Sequence, residues 1–341
     1  MTNDLLTHDF IERKLLSLFD GEEWDCQRVL LNAVPEHNQF ITANILTILS
    51  HCTIHSPALL DAITHAKKSL RHYQKGHHVY HWRFKSGLSL PDNAPYLNAL
   101  RLMKLDPDAD CTAFQALALD DATHLDAIIE DLEFYRLDNA RFRLPDFQRT
   151  VLPRADGVFL VWFPPRARCL NQKIEQLDIV VQAHILWLLH HFNRLDCNGR
   201  RETIAFLKAV LESHLILENP YAVSPYYPFP LVILYALSRA MVWGKIDALY
   251  DQRARLLELA SRVSPRNDLE RLCLASIGKY WNDASLQKKI RLDSFSKMKT
   301  GSFYAATNAH RFFEWLSRSC WTRFEFHSEA LQWAMLKWLV E

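Results

Sequence analysis

Two kinds of helical segment alternate along this chain, and the alternation limits the folds open to it. One kind is apolar on nearly every side: Phe40 to Leu49 (FITANILTIL), Asp110 to Leu119, Asp178 to Phe192 (DIVVQAHILWLLHHF), Pro230 to Trp243, Leu269 to Trp281 and Ser328 to Val340. The other kind carries a single apolar stripe. Leu59, Leu60, Ile63, Ala66 and Leu70 form one such stripe with Lys67, Lys68 and Arg71 off it, and Ala122, Leu125, Ile128, Ile129 and Leu132 form another among acidic residues. A helix apolar all round needs protein on every side, whereas an amphipathic helix covers a core from one side only. About six inner helices alternating with outer ones, at roughly 45–60 residues per repeat, read as a series of helical hairpins. Set in a circle with the apolar helices inside, they form an all-α, (α/α)6 toroid. An open solenoid satisfies the same pattern. Closure is preferred because the N-terminal helix (Phe10, Ile11, Leu15, Leu16, Phe19) is amphipathic and the C-terminal one is of the inner type, so the two ends lack partners unless they meet.

Residues 1–341 are accordingly expected to form one toroid domain, and with 49% hydrophobic residues and only 8 glycines they favour helices over a loop-rich β fold. No β region is expected; Gly157 to Trp162 (GVFLVW) reads as either a short strand or a wall of the central cavity. Forty basic against 39 acidic residues leave a net charge of +1, which argues against nucleic acid as a partner. The apolar stretches fall short of the ~18 residues needed for a membrane span and are interrupted by Gln182, His184, Ser238 and Arg239. The first residues, MTNDLLTHDF, lack the basic and apolar regions of a secretory signal. Seven scattered cysteines without a CxxC pair point to reduced thiols and a cytoplasmic protein.

Polar residues at the mouths of the inner helices are the candidate chemistry. Asp108 and Asp110 precede Cys111 at one mouth, where Asp110 reads either as the helix N-cap or as a buried general acid. Asp178 with Gln182, Tyr226 with Tyr227, and Glu329 stand at the others, and each carboxylate taken singly also reads as a cap. The segments leading from outer to inner helices are aromatic and basic, and in a toroid they fall at one rim: Trp82 and Phe84, Trp162, and Trp321 with Phe324. Such rings serve either to shield a cation and hold an isoprenoid or simply as core. His77, His78 and His81 (HHVYH) form a dense histidine cluster, but with no Cys or acid close in sequence they read as a solvated loop, and no metal or other cofactor is expected.

Asp110-Cys111-Thr112-Ala113 resembles the catalytic DCTA of oxidosqualene cyclases, and Asp108-Ala109-Asp110 resembles the start of the DxDD of bacterial squalene-hopene and class II diterpene cyclases. The ring of hairpins is similar to the α/α toroid that these cyclases share with the β subunits of protein prenyltransferases. Cys111 stands where the bacterial pattern has Asp, and Phe114 where oxidosqualene cyclases have Glu. The resemblance implies that Asp110 protonates an alkene or epoxide of a linear isoprenoid and that Cys111 hydrogen-bonds to it. Two other classes remain open: a toroid that only binds or scaffolds, and a glycan-active (α/α)6 barrel with paired carboxylates in an open polar cleft.

Overall fold

The computed structural model describes residues 7–29, 32–85, 88–89, 91, 105–138, 140–169, 173–287, 300–306 and 324–341. Local signals set where its helices begin. Helix α1 (His8–Ser17) starts where the Thr7 side chain accepts from Phe10 N, and α2 (Gln39–Leu49) where Asn38 accepts from Ile41 N. Ser56 caps α3 (Pro57–Leu70), with proline in its first turn. Then come α4 (Ala109–Leu119), α5 (Leu125–Phe134), α6 (Ile179–His191), α7 (Arg200–Glu212), α8 (Pro230–Trp243), α9 (Arg253–Ser261), α10 (Asp268–Trp281), the short α11 (Ala284–Gln287) and α12 (Glu329–Val340).

Burial separates the two kinds as their composition requires. Every residue of α2 is buried, and so is α6 from Ile179 through Leu189, whereas α3 buries only Leu59, Ala62, Ala66, Ser69 and Leu70. The apolar helices pack in a closed circuit: α2 on α4, α4 on α6, α6 on α8, α8 on α10, α10 on α12, and α12 back on α2. Outside them α3 packs on α2, α7 on α6, α9 on α8, α11 on α10 and α1 on α12. The fold is therefore an α/α toroid in which the first helix covers the last, as the unpartnered ends require. Among the described residues no helix is long and apolar enough to cross a membrane.

The absence of β structure expected from the sequence is corrected here. Strands β1 (Cys26–Val29), β2 (Ala33–Glu36), β3 (Ser302–Ala306) and β4 (Phe324–His327) form an antiparallel sheet in the order β2-β1-β4-β3, with Gln27 opposite His327. It ties the two ends of the chain together. Four residues give too short an alternation to recognise, and the partner strand lies some three hundred residues away. Gly157 to Trp162 is not a strand either. Its backbone makes single bridges, Trp162 to Asp108 and Phe159 to Arg136, and it forms a wall beside the mouth of α4.

Candidate active site

The loop entering α4 is pinned to that wall: Ala109 N donates to the Val161 carbonyl at 2.8 Å, and Phe163 N to the Pro107 carbonyl at 2.8 Å. Asp108, and not Asp110, is the N-cap; its Oδ1 accepts from Cys111 N at 2.6 Å. With the cap position filled, Asp110 stands in the first turn with a buried carboxyl. Its Oδ2 accepts from the Tyr227 hydroxyl, and its Oδ1 lies 2.6 Å from His184 Nδ1. His184 Nε2 faces Arg239 Nη2 at 3.4 Å, and a guanidinium can only donate. Nε2 is thus the acceptor, Nδ1 carries the hydrogen, and Asp110 receives a hydrogen bond on each oxygen.

Asp110 opens onto a cavity of about 70 Å3 whose wall includes Phe40, His81, Trp82, Asp108, Cys111, Trp162, Tyr226, Tyr227, Tyr304 and Phe326. Seven of these are Phe, Trp or Tyr, and Leu105, Val161, Val181 and Ala305 complete the apolar lining. Phe40 packs edge-on to Phe114 and Tyr304, and Tyr304 stacks on Phe326 at 4.4 Å. The indole N–H of Trp82 is buried and has no partner among the described residues.

Asp178 caps α6 and holds the loop that carries the tyrosines. Its Oδ1 accepts from Val180 N at 2.9 Å and from the Ser224 hydroxyl at 2.7 Å, and its Oδ2 from Tyr226 N at 2.9 Å. Trp162 Nε1 donates to the Tyr226 hydroxyl at 2.8 Å. Burial pushes the Asp108 carboxyl up to about 7, with the charge of Asp110 adding to it. Burial likewise pushes Asp178 up to about 7 against its hydrogen bonds from Ser224 and Tyr226, again with Asp110 adding. Burial thus leaves both Asp108 and Asp178 with a raised affinity for a proton. Burial keeps His184 below its ordinary value although Asp110 pulls the other way, and it pushes His81 down to about 3.

The other residues singled out from the sequence fall in several places. The Cys111 thiol faces His81 Nδ1 at 3.7 Å, whereas Asp110 is hydrogen-bonded by His184 and Tyr227 and not by the thiol expected from the sequence. Gln182 donates to the Phe159 carbonyl at 2.8 Å, so it braces the wall from behind. Glu329 accepts from Trp333 Nε1 in the first turn of α12, and Phe324 lies under the Arg28 guanidinium; neither lines the cavity. Trp321 lies outside the described residues. Sequence reasoning passed over His184 and Arg239 as mere interruptions of apolar helices. A polar residue inside an otherwise apolar inner helix is the signal that would have found them, since such a side chain must meet a partner.

Phe84 lines a second, larger cavity of about 570 Å3, which has Leu105 in its wall in common with the first. His77 and His78 line it as well, each with Nε2 2.7 Å from Asp131 Oδ2, and Arg166 Nη2 reaches Asp131 Oδ1 at 2.9 Å. Burial raises the Asp131 carboxyl, but the hydrogen bonds from His78, His77 and Arg166 more than offset it and hold it well below the usual carboxylate range. The acid missing from the sequence around HHVYH thus arrives from α5.

No protein-family model and no curated sequence matches the chain. Solved structures do. A protein from Actinoplanes superposes with a TM-score of 0.53 at 13% identity, over 98% of this chain and 99% of that one. The type II terpene cyclase MstE from Scytonema, in its apo form, gives 0.50 at 10% identity, over 98% and 97%. An aspartate-to-asparagine variant of MstE in complex with geranylgeranyl dihydroxybenzoate, its substrate, gives 0.50 at 11% identity, over 98% and 95%. At such identities the likeness shows a shared fold.

Proposed function

We propose that this chain is a protonation-initiated, type II terpenoid cyclase acting on a linear isoprenoid, with Asp110 as its general acid. One observation carries the reading: the buried carboxyl of Asp110, hydrogen-bonded on both oxygens by Tyr227 and His184, opens onto an aromatic-walled cavity. The two hydrogen bonds fix the orientation of the carboxyl toward the cavity, where in its acid form it faces a bound alkene. Transfer breaks the Asp110 O–H bond and forms a C–H bond at the terminal alkene, or an O–H bond at an epoxide, and leaves a carbocation. The faces of Trp82, Trp162, Tyr227 and Phe326 then stabilise the cation while exclusion of water prevents its early capture. Ring closure ends when a proton is lost or water adds, and Asp110 regains its proton from solvent. His184 is a positioning residue, Tyr227 both holds Asp110 and faces the cation, and Asp178 acts through the loop it holds.

The reacting end of the chain would occupy the cavity at Asp110, with the remainder passing Leu105, which lines both cavities, into the larger one. The narrow aromatic wall weighs against a glycan-active cleft. A pure scaffold gives no reason for a carboxyl that does not cap its helix to face open space.

Incubation with a panel of linear isoprenoids, read by gas chromatography and mass spectrometry, is expected to give cyclic products. Asp110→Asn keeps the size of the side chain and should reduce the rate by roughly 10²–10⁴-fold or more. An active Asp110→Asn variant would remove Asp110 as the acid, and a wild-type protein that cyclises no member of the panel would count against the whole reading.

A further inference from the structure

The larger cavity holds a side-chain group that proton transfer at Asp110 does not use. His77 and His78 sit on a tight hairpin, where the strands Gln74–Lys75 and His78–Val79 pair antiparallel around Gly76, and Asp131 projects from the buried side of α5. Both imidazoles aim Nε2 at the same carboxylate oxygen, and the three ligand atoms lie within 4.8 Å of one another. Two ring nitrogens and one carboxylate oxygen thus converge on a single place, as the ligands of one ion must. A tetrahedral ion with bonds of about 2.1 Å spaces its ligand atoms about 3.4 Å apart, between the 2.7 Å hydrogen bonds and the outer limit of the cluster.

We propose that His77, His78 and Asp131 bind a divalent transition-metal ion of the zinc class, with an open coordination position turned to the larger cavity. The donor set selects the ion: two imidazoles and one carboxylate suit zinc, cobalt or iron, whereas magnesium prefers an all-oxygen shell. The surroundings also suit a metal. Arg166 occupies the second oxygen of Asp131, which leaves that carboxylate one oxygen to offer and fixes its orientation. Glu130, 2.9 Å from the same guanidinium, offsets the charge of Arg166, so a dication here is not opposed by an unpaired arginine. All three ligands line the cavity, so a fourth ligand, water or an oxygen of a bound molecule, has room to reach the ion. His81, the third histidine of the motif, faces Cys111 and Tyr304 in the other cavity and takes no part.

The site is independent of the cyclase reading, and its test needs no activity. The full-length protein, freed of metal by dialysis against a chelator, is titrated with zinc chloride in a calorimeter. A parallel titration with Co2+ is followed by its visible absorption, which reports a low-coordinate nitrogen and oxygen site. Saturable binding of about one zinc per chain is expected, weakened at least roughly tenfold in His77→Ala, in His78→Ala and in Asp131→Asn. The two histidines are half-exposed on a surface hairpin, so their alanine variants should retain the helical circular dichroism of the wild type. Absence of saturable zinc binding overturns the proposal. So does affinity unchanged in the double His77→Ala, His78→Ala variant, which would place the ion on other histidines.

Discussion

At Asp108, burial and capping oppose each other. The carboxyl accepts from Cys111 N, which favours charge, yet its burial beside Asp110 raises its affinity for a proton from an ordinary 3.8 to about 7. An acid whose folded value is raised binds more protons folded than unfolded between these limits. Its contribution to stability is therefore present at low pH and lost as pH rises from about 4 to about 7. Asp108→Asn retains an oxygen for the cap and does not titrate. Between pH 5 and pH 8 the stability of the variant should gain on that of the wild type by about 2–3 kcal/mol, read from urea midpoints at the two pH values. A gap that does not move with pH would show that Asp108 is ionised in the fold. Comparison of two proteins that differ only here cancels the opposite slope contributed by His81 and His184, which are held neutral by burial.

Helix starts and the loops before them determine how the elements place these side chains. The cap at Asp178 is legible because an Asp before an apolar run has few other uses there, whereas at α12 the expected Glu329 lies in the first turn and Ser328 is the cap. The cap of α4 was not legible, because Asp108 and Asp110 are both good candidates, and only the pairing of Pro107 and Ala109 with the wall decides between them. The wall has its own support at Gly199, the residue before α7, with φ of +97°. A Cβ there would lie 2.6 Å from Arg136 Cδ and 2.9 Å from both the Gly157 carbonyl oxygen and Phe159 Cε1. Gly199→Ala should cost about 2–4 kcal/mol through backbone strain and this contact, measured by thermal unfolding. If the alanine variant melts with the wild type, the wall is not held from this side.

The seam where the toroid closes has a charged centre. Lys337 of α12, with its side chain fully buried, lies 3.0 Å from Glu12 of α1 and 2.9 Å from Glu341. Glu12 also accepts from Ser56 N at 3.1 Å, and Glu341 from Thr53 N at 2.6 Å, so one cation joins the first helix, the last helix and the loop between α2 and α3. Its removal leaves two sequestered carboxylates without a counter-charge. Lys337→Ala is expected to lose about 3–5 kcal/mol in urea unfolding, with part of the loss recovered when Glu12→Gln is added. A loss below about 1 kcal/mol would mean that apolar packing alone closes the ring.

The sequence by itself determined the alternation of inner and outer helices and, from its unpartnered ends, the closure of the circle. Burial on all sides or on one side is a property of each helix alone, so hydrophobic periodicity carries it. It also singled out Asp108, Asp110 and Tyr227. Only the tertiary structure decided that Asp108 caps the helix, that His184 and Tyr227 hold Asp110, that His77 and His78 meet Asp131, and that the chain ends share a sheet. Apart from the cap itself, which the distant wall decides, each of these joins groups from different helices or loops, over separations of 53 to 117 residues for the side-chain pairs. Which side chains meet across a ring depends on the rotation and rise of every hairpin between them, and no local periodicity encodes that sum.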